Sequence, residues 1–148
     1  LSKPEPVTEQ TPIFRNIHLS NITGTDIKQI GYIKGIEEMP VQDLSFSNMN
    51  MKAEIGFIID TAQDIRFHNV DFTSTKGSPW EFSKCSQLIL NNVSSKGALF
   101  EQPVITFEEV DEAFLGNCYQ FAPVKAFFTA KDSQVVEGTN FWNKALKK

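Results

Sequence analysis

Three groups of acidic residues are the first places to look for chemistry: Glu37 with Glu38, Glu108 and Glu109 with Asp111 and Glu112, and Asp60 with Asp64. Two carboxylates can cleave a glycosidic bond when they face one groove about 5 to 9.5 Å apart, depending on the stereochemical outcome. Nothing in the sequence sets any of these pairs on one groove, so they read as solvated loop acids and no catalytic residue is assigned. Serine and histidine both occur, but no nucleophile elbow or triad context surrounds them. There is no glycine-rich phosphate loop.

The softer ligands lead no further. His18 and His68 fall at outward strand positions with no second histidine or cysteine at ligand spacing, so neither a metal nor a cofactor is expected. Cys85 and Cys118 belong to different columns of the repeat described next, which makes buried free thiols the expectation rather than a disulfide.

The elements that would have to position such groups are set by a repeat. Six asparagines precede an apolar or cysteine residue: Asn21-Ile22, Asn48-Met49, Asn69-Val70, Asn92-Val93, Asn117-Cys118 and Asn140-Phe141. By subtraction they lie 27, 21, 23, 25 and 23 residues apart. A period in this range indicates a stack of similar units. Four residues before each asparagine stand Ile17, Leu44, Ile65, Leu88, Ala113 and Val136; two before stand Leu19, Phe46, Phe67, Leu90, Leu115 and Gly138. Apolar side chains alternating with polar ones mark a strand with one buried face.

Second strand signals follow in most units: Gly31 to Gly35, Gly56 to Asp60, Trp80 to Phe82, Pro103 to Phe107 and Ala126 to Phe128. Turn-forming residues such as Thr23-Gly24, Lys76-Gly77-Ser78 and Lys96-Gly97 separate the two. A unit of this kind is one turn of a parallel β-helix, each strand pairing with its counterpart one coil above and below. The predicted fold is all-β: a single-stranded parallel β-helix of about five to six coils. Residues 1–12 form an N-terminal arm, residues 13–148 the solenoid, and a cap closes it at about 140–148. Stacked asparagines at a fixed corner, about 4.8 Å apart, can donate to one neighbour and accept from the other. A simple preference of asparagine for turns is the alternative. The ladder reading places the six amides inside, so the sequons Asn21-Ile22-Thr23 and Asn92-Val93-Ser94 read as coincidental.

Composition bounds the partners. The chain has 148 residues, 41% hydrophobic with 13 phenylalanines, and a formal charge of −4. No basic block exceeds Lys147-Lys148, which argues against nucleic acid. No apolar run is long enough to span a membrane. The first ten residues lack a signal-peptide pattern, so any export signal is expected to have been removed or to lie upstream. The outward column three before each asparagine reads His18, Ser45, Arg66, Ile89, Phe114 and Glu137. It could contact sugar rings or carboxylates, or form an ordinary solvent face.

The wording of the first coils is that of a known family. The run from Pro4 to His18, continuing through Leu19-Ser20-Asn21-Ile22-Thr23-Gly24, resembles the late coils of glycoside hydrolase family 28, the polygalacturonases or pectinases. Gly31 to Gly35, Glu38-Met39-Pro40-Val41 and Leu44 to Met49 fit the next coil. The resemblance is specific over roughly residues 4–72 and is carried beyond them mostly by the coil pattern.

It implies a right-handed parallel β-helix, hydrolysis of pectin-type galacturonan with inversion, and an extracytoplasmic location. The family's Asn-Thr-Asp, Asp-Asp, Gly-His-Gly and Arg-Ile-Lys motifs are all absent. His18 and His68 lack flanking glycines, and Arg15 and Arg66 are followed by Asn16 and Phe67. No catalytic residue carries over. The expectation is the C-terminal portion of such an enzyme or a truncated relative, inactive alone; a non-catalytic carbohydrate-binding or interaction module is the alternative. Uncovered strand edges on the first coil are expected to self-associate unless the arm folds over them. The apolar residues of the tail from Asn140 to Leu146 are suited to closing the other end.

Overall fold

The structure, a computed structural model, describes residues 3–144. Among these there is no helix. The strands are β1 (Arg15–Lys34), β2 (Val41–Ser94), β3 (Ile105–Glu108), β4 (Asp111–Gly116), β5 (Tyr119–Val124), β6 (Phe128–Lys131), β7 (Val135–Glu137) and β8 (Phe141–Lys144). All their pairings are parallel. The chain is a β-solenoid of about five turns, as the repeat predicts.

At about 3.3 Å per residue, the 54 residues of β2 would reach roughly 180 Å if straight. They do not, because single left-handed residues fold the run at corners while pairing continues. Asn21, Asn48, Asn69, Asn92 and Asn117 all have φ between 52° and 59°. Five residues before each stands a second left-handed residue: Asn16, Asp43, Asp64, Gln87 and Glu112. The strand between is therefore four residues long, as in Leu44–Ser47. A third set, Thr61, Lys84 and Glu109, turns the chain three residues before Asp64, Gln87 and Glu112, and Asp132 is left-handed in the last coil. Asparagine and aspartate tolerate this conformation best, which explains much of the first two columns.

The core is a column of stacked side chains. Leu44, Ile65, Leu88 and Leu90 are fully buried, and Ile17 pairs with Leu44 in the coil below. Rings meet at roughly the coil spacing: Phe46 stacks on Phe67 at 4.7 Å, Phe72 on Trp80 at 4.9 Å and Phe82 on register partner Phe107 at 5.7 Å. Each such side chain contributes about 1.5–3 kcal/mol by leaving water. Gln120 is the polar exception. It is buried, but its Oε1 accepts from Ser95 N at 3.0 Å and its Nε2 donates to Ser95 O, so it acts as a rung between coils.

Cys85 and Cys118 are free and buried, and burial pushes both thiols up to about 11. Their Sγ atoms approach backbone carbonyls, Cys85 that of Ser83 at 3.2 Å and Cys118 that of Gly116 at 3.5 Å.

The first coil is open, as the sequence leads one to expect, whereas the last coil departs from the predicted columns. The arm does not cover the first coil. It runs beside the turn at Ile36–Met39, where Glu5, Pro6 and Thr8 share a shallow groove with Ile36 and Glu38. Leu19 is left 43% exposed, while its register partner Phe46 is 1% exposed. At the other end, Ala113 pairs with Val135 and Leu115 with Glu137. The last coil is thus one residue out of the predicted columns: Val135, not Val136, faces inward, and Glu137, not Gly138, lies opposite Leu115. The slip turns Trp142 onto Phe127 at 5.7 Å, closing part of the core. The expected cap extends to 145–148, which lie outside the described residues.

Candidate functional site

The asparagine corner carries two rows of side chains along the solenoid axis. In the first, Asn69 Nδ2 donates to Asn48 Oδ1 at 2.9 Å and Asn92 Nδ2 to Asn69 Oδ1 at 3.2 Å. The second row lies two residues further along each coil: Thr23, Asn50, Asp71, Ser94 and Tyr119. Thr23 and Asn50 are register partners, and Ser94 Oγ donates to Asp71 Oδ2 at 2.6 Å. A groove of about 290 Å³ runs along these rows, with Lys96 and Tyr119 among its lining residues.

This geometry corrects two parts of the ladder expectation. The asparagines are not internal: Asn21, Asn48, Asn69 and Asn117 are exposed, and Asn92 and Asn140 are half-buried. A left-handed residue at the corner turns its own side chain outward, and the next residue, such as Met49, Val70 or Val93, points into the core. Nor does the ladder have six rungs. Asn21 makes no amide contact among the described residues. Asn117 donates to Asn91 Oδ1, left open because Asn91's register partner is Gly116. Asn140, displaced by the slip of the last coil, bonds backbone instead: its Oδ1 accepts from Cys118 N at 2.8 Å and its Nδ2 donates to Leu115 O at 3.0 Å. Burial therefore does not disqualify the sequon at Asn21, whereas at Asn92 both the asparagine and Ser94 are engaged.

The corner changes character toward the C-terminal end. Tyr119 and Phe141 are register partners on β5 and β8, and Phe121 stands two residues on, on the same outward face. Tyr119 and Phe121 lie 5.4 Å apart and Phe121 and Phe141 5.7 Å apart, ring centre to ring centre. Phe121 is 71% exposed. Sequence reading missed this group, although outward aromatics flanking the inward Gln120 were its visible signal.

The outward column before the corner reads His18, Ser45, Arg66, Ile89 and Phe114, then Val136 in place of the expected Glu137 because of the same slip. His18 Nε2 lies 3.4 Å from Asp43 Oδ2, and Arg66 lies 3.6 Å from Asp64. His68 Nδ1 meets Asn91 Nδ2 at 2.9 Å. Among the described residues, no group of three or more His, Cys, Asp or Glu side chains could hold a metal.

The acids divide. Glu37 pairs with Lys84 at 3.1 Å and Glu108 with Lys131 at 3.6 Å, while Asp60 accepts from Thr61 Oγ1 at 2.8 Å. The Glu37 carboxylate raises the Lys84 ammonium above its ordinary value. Glu109, Asp111 and Asp132 line one open groove of about 440 Å³ with Lys84 and Cys85, a convergence that the sequence did not reveal. All three acids are exposed.

Comparison with known families, curated proteins and solved structures finds no match for this chain.

Proposed function

We propose that this chain is the C-terminal β-helix portion of a polygalacturonase-like glycoside hydrolase, or a truncated relative. It contributes coils that engage pectin-type polysaccharide without cleaving it. The observation that supports this reading most directly is the half-covered first coil. Ile17, Ile22 and Ile33 are only half-buried, whereas their partners Leu44, Met49 and Ile59 are buried. Such a surface, with β1 paired on one side only among the described residues, suits a further coil of the same kind or a second copy. The wording of the first two coils supplies the family, and the missing motifs make the chain silent by itself.

A non-catalytic carbohydrate-binding module is the second reading, favoured by the exposed rings and amides of the asparagine corner. Reducing-end release from polygalacturonate tests the shared claim. None is expected. Release that scales with protein and disappears in Asp111→Asn would overturn it. The reading frame upstream separates the two versions: the four catalytic motifs there favour the enzyme portion, and their absence favours the module.

A further inference from the structure

We propose that Asn21 is the acceptor of an N-linked glycan, transferred to its side-chain amide from a lipid-diphosphate-linked oligosaccharide. Asn21-Ile22-Thr23 and Asn92-Val93-Ser94 share the acceptor pattern, and a glycan needs a surface position whose amide and hydroxyl are both open. The corner tells the two apart. Its first row carries the asparagines and its second row carries Thr23 and Ser94, so the groups a transferase reads stand on neighbouring rows of one corner.

In the middle of the stack those groups are spent. Asn92 Nδ2 donates to Asn69 Oδ1 at 3.2 Å, and Ser94, 4% exposed, donates through Oγ to Asp71 Oδ2 at 2.6 Å. On the first coil they are open. Asn21 and Thr23 are exposed, and neither side chain has a hydrogen-bond partner among the described residues. The row has a direction: Asn69 and Asn92 each donate to the asparagine of the preceding coil. No preceding coil stands before Asn21, since β1 is paired on one side only among the described residues. The left-handed backbone at φ 59° turns its amide outward.

In the transfer, the amide nitrogen bonds to the anomeric carbon of the donor sugar and gives up one proton. The bond from that carbon to the phosphate oxygen breaks, and the lipid diphosphate leaves with the electron pair. The product keeps the carbonyl oxygen and one N–H of the amide. A glycan on this rim, two residues from Leu19, shields the open strand edge from other copies. The proposal rests on the extracytoplasmic location that the resemblance implies, not on the polysaccharide.

The test supplies export directly. The full chain is translated behind a cleavable export signal in the presence of secretory microsomes. Protection from added protease identifies the translocated chain. Transfer can precede folding, so the chain is then released, selected by resistance to limited proteolysis, and mapped by peptide mass with and without enzymatic removal of N-glycans. Wild type is expected to carry one glycan, on Asn21. Asn21→Gln loses it, and so does Thr23→Ala, which leaves the left-handed corner residue in place; Asn92→Gln keeps it. A translocated chain without a glycan on Asn21, or a folded chain with one on Asn92, overturns the proposal. Either result leaves the polysaccharide reading standing, because reducing-end release is measured on the unglycosylated chain.

Discussion

Asn117 donates through Nδ2 to Asn91 Oδ1 at 3.0 Å, stepping off the row that joins Asn92, Asn69 and Asn48. The step shows what holds an asparagine at this corner. Asn21 and Asn117 share the left-handed backbone of the others without the amide row, so conformation is the constant and the ladder is the addition.

The corner makes a direct prediction. Asn69→Gly should cost less than Asn69→Ala in urea unfolding, because glycine takes positive φ freely while alanine is strained there. The two surface amide bonds lost in both variants are worth about 0.5–1.5 kcal/mol each at most. Equal losses in the two variants would give the ladder the larger role.

Trp80 is fully buried, and its Nε1 has no hydrogen-bond partner among the described residues. Replacing it with alanine should cost about 3–5 kcal/mol through lost stacking on Phe72 and an open cavity. Trp80→Phe should cost distinctly less, since it keeps a ring and removes an unsatisfied donor whose burial itself costs about 1–3 kcal/mol. Thermal unfolding of the two variants checks the order.

The two thiols set a pH dependence. Each rises from 9.0 to about 11 on folding because burial disfavours the thiolate. The folded state thus holds protons that the unfolded state releases above about pH 9. Their contribution is complete below that pH and is lost as pH climbs through about 11, on the order of 2–3 kcal/mol per thiol. Between pH 9 and 11, wild type should lose stability more steeply than the Cys85→Ala, Cys118→Ala double variant. The native thiols should resist alkylation at pH 8 until the protein is unfolded.

The open first coil predicts concentration-dependent association, seen by light scattering. Leu19→Asp places a charge on its 43%-exposed core position and should shift the population to monomer. A wild-type monomer at all concentrations would contradict the association.

Much of this was legible in the sequence because it depends on residue type at fixed spacing. The apolar columns through Phe46, Phe67 and Leu90 and the turn-favouring asparagines specify stacked parallel coils. The −5 corner was visible in Asn16, Asp43 and Asp64 but obscured where Gln87 and Glu112 take the same backbone. The slip of the last coil was hidden because Val135 and Val136 suit the inward position equally well, and only the placement of Trp142 on Phe127 favours one. The aromatic group and the acid-lined groove join residues from different coils, which a column alignment does not bring together. Neither Phe121 nor Asp132 belonged to the columns that defined the repeat.

The central claim is that the chain engages acidic polysaccharide and leaves it intact. Saturation-transfer NMR on oligogalacturonate, in the presence of the full chain, tests both halves in one tube. The account predicts saturation of sugar protons on irradiating the protein's aromatic envelope, with no new reducing-end anomeric signals over time. Reducing-end signals that grow with protein concentration, or no transfer to the sugar at any concentration, would contradict it.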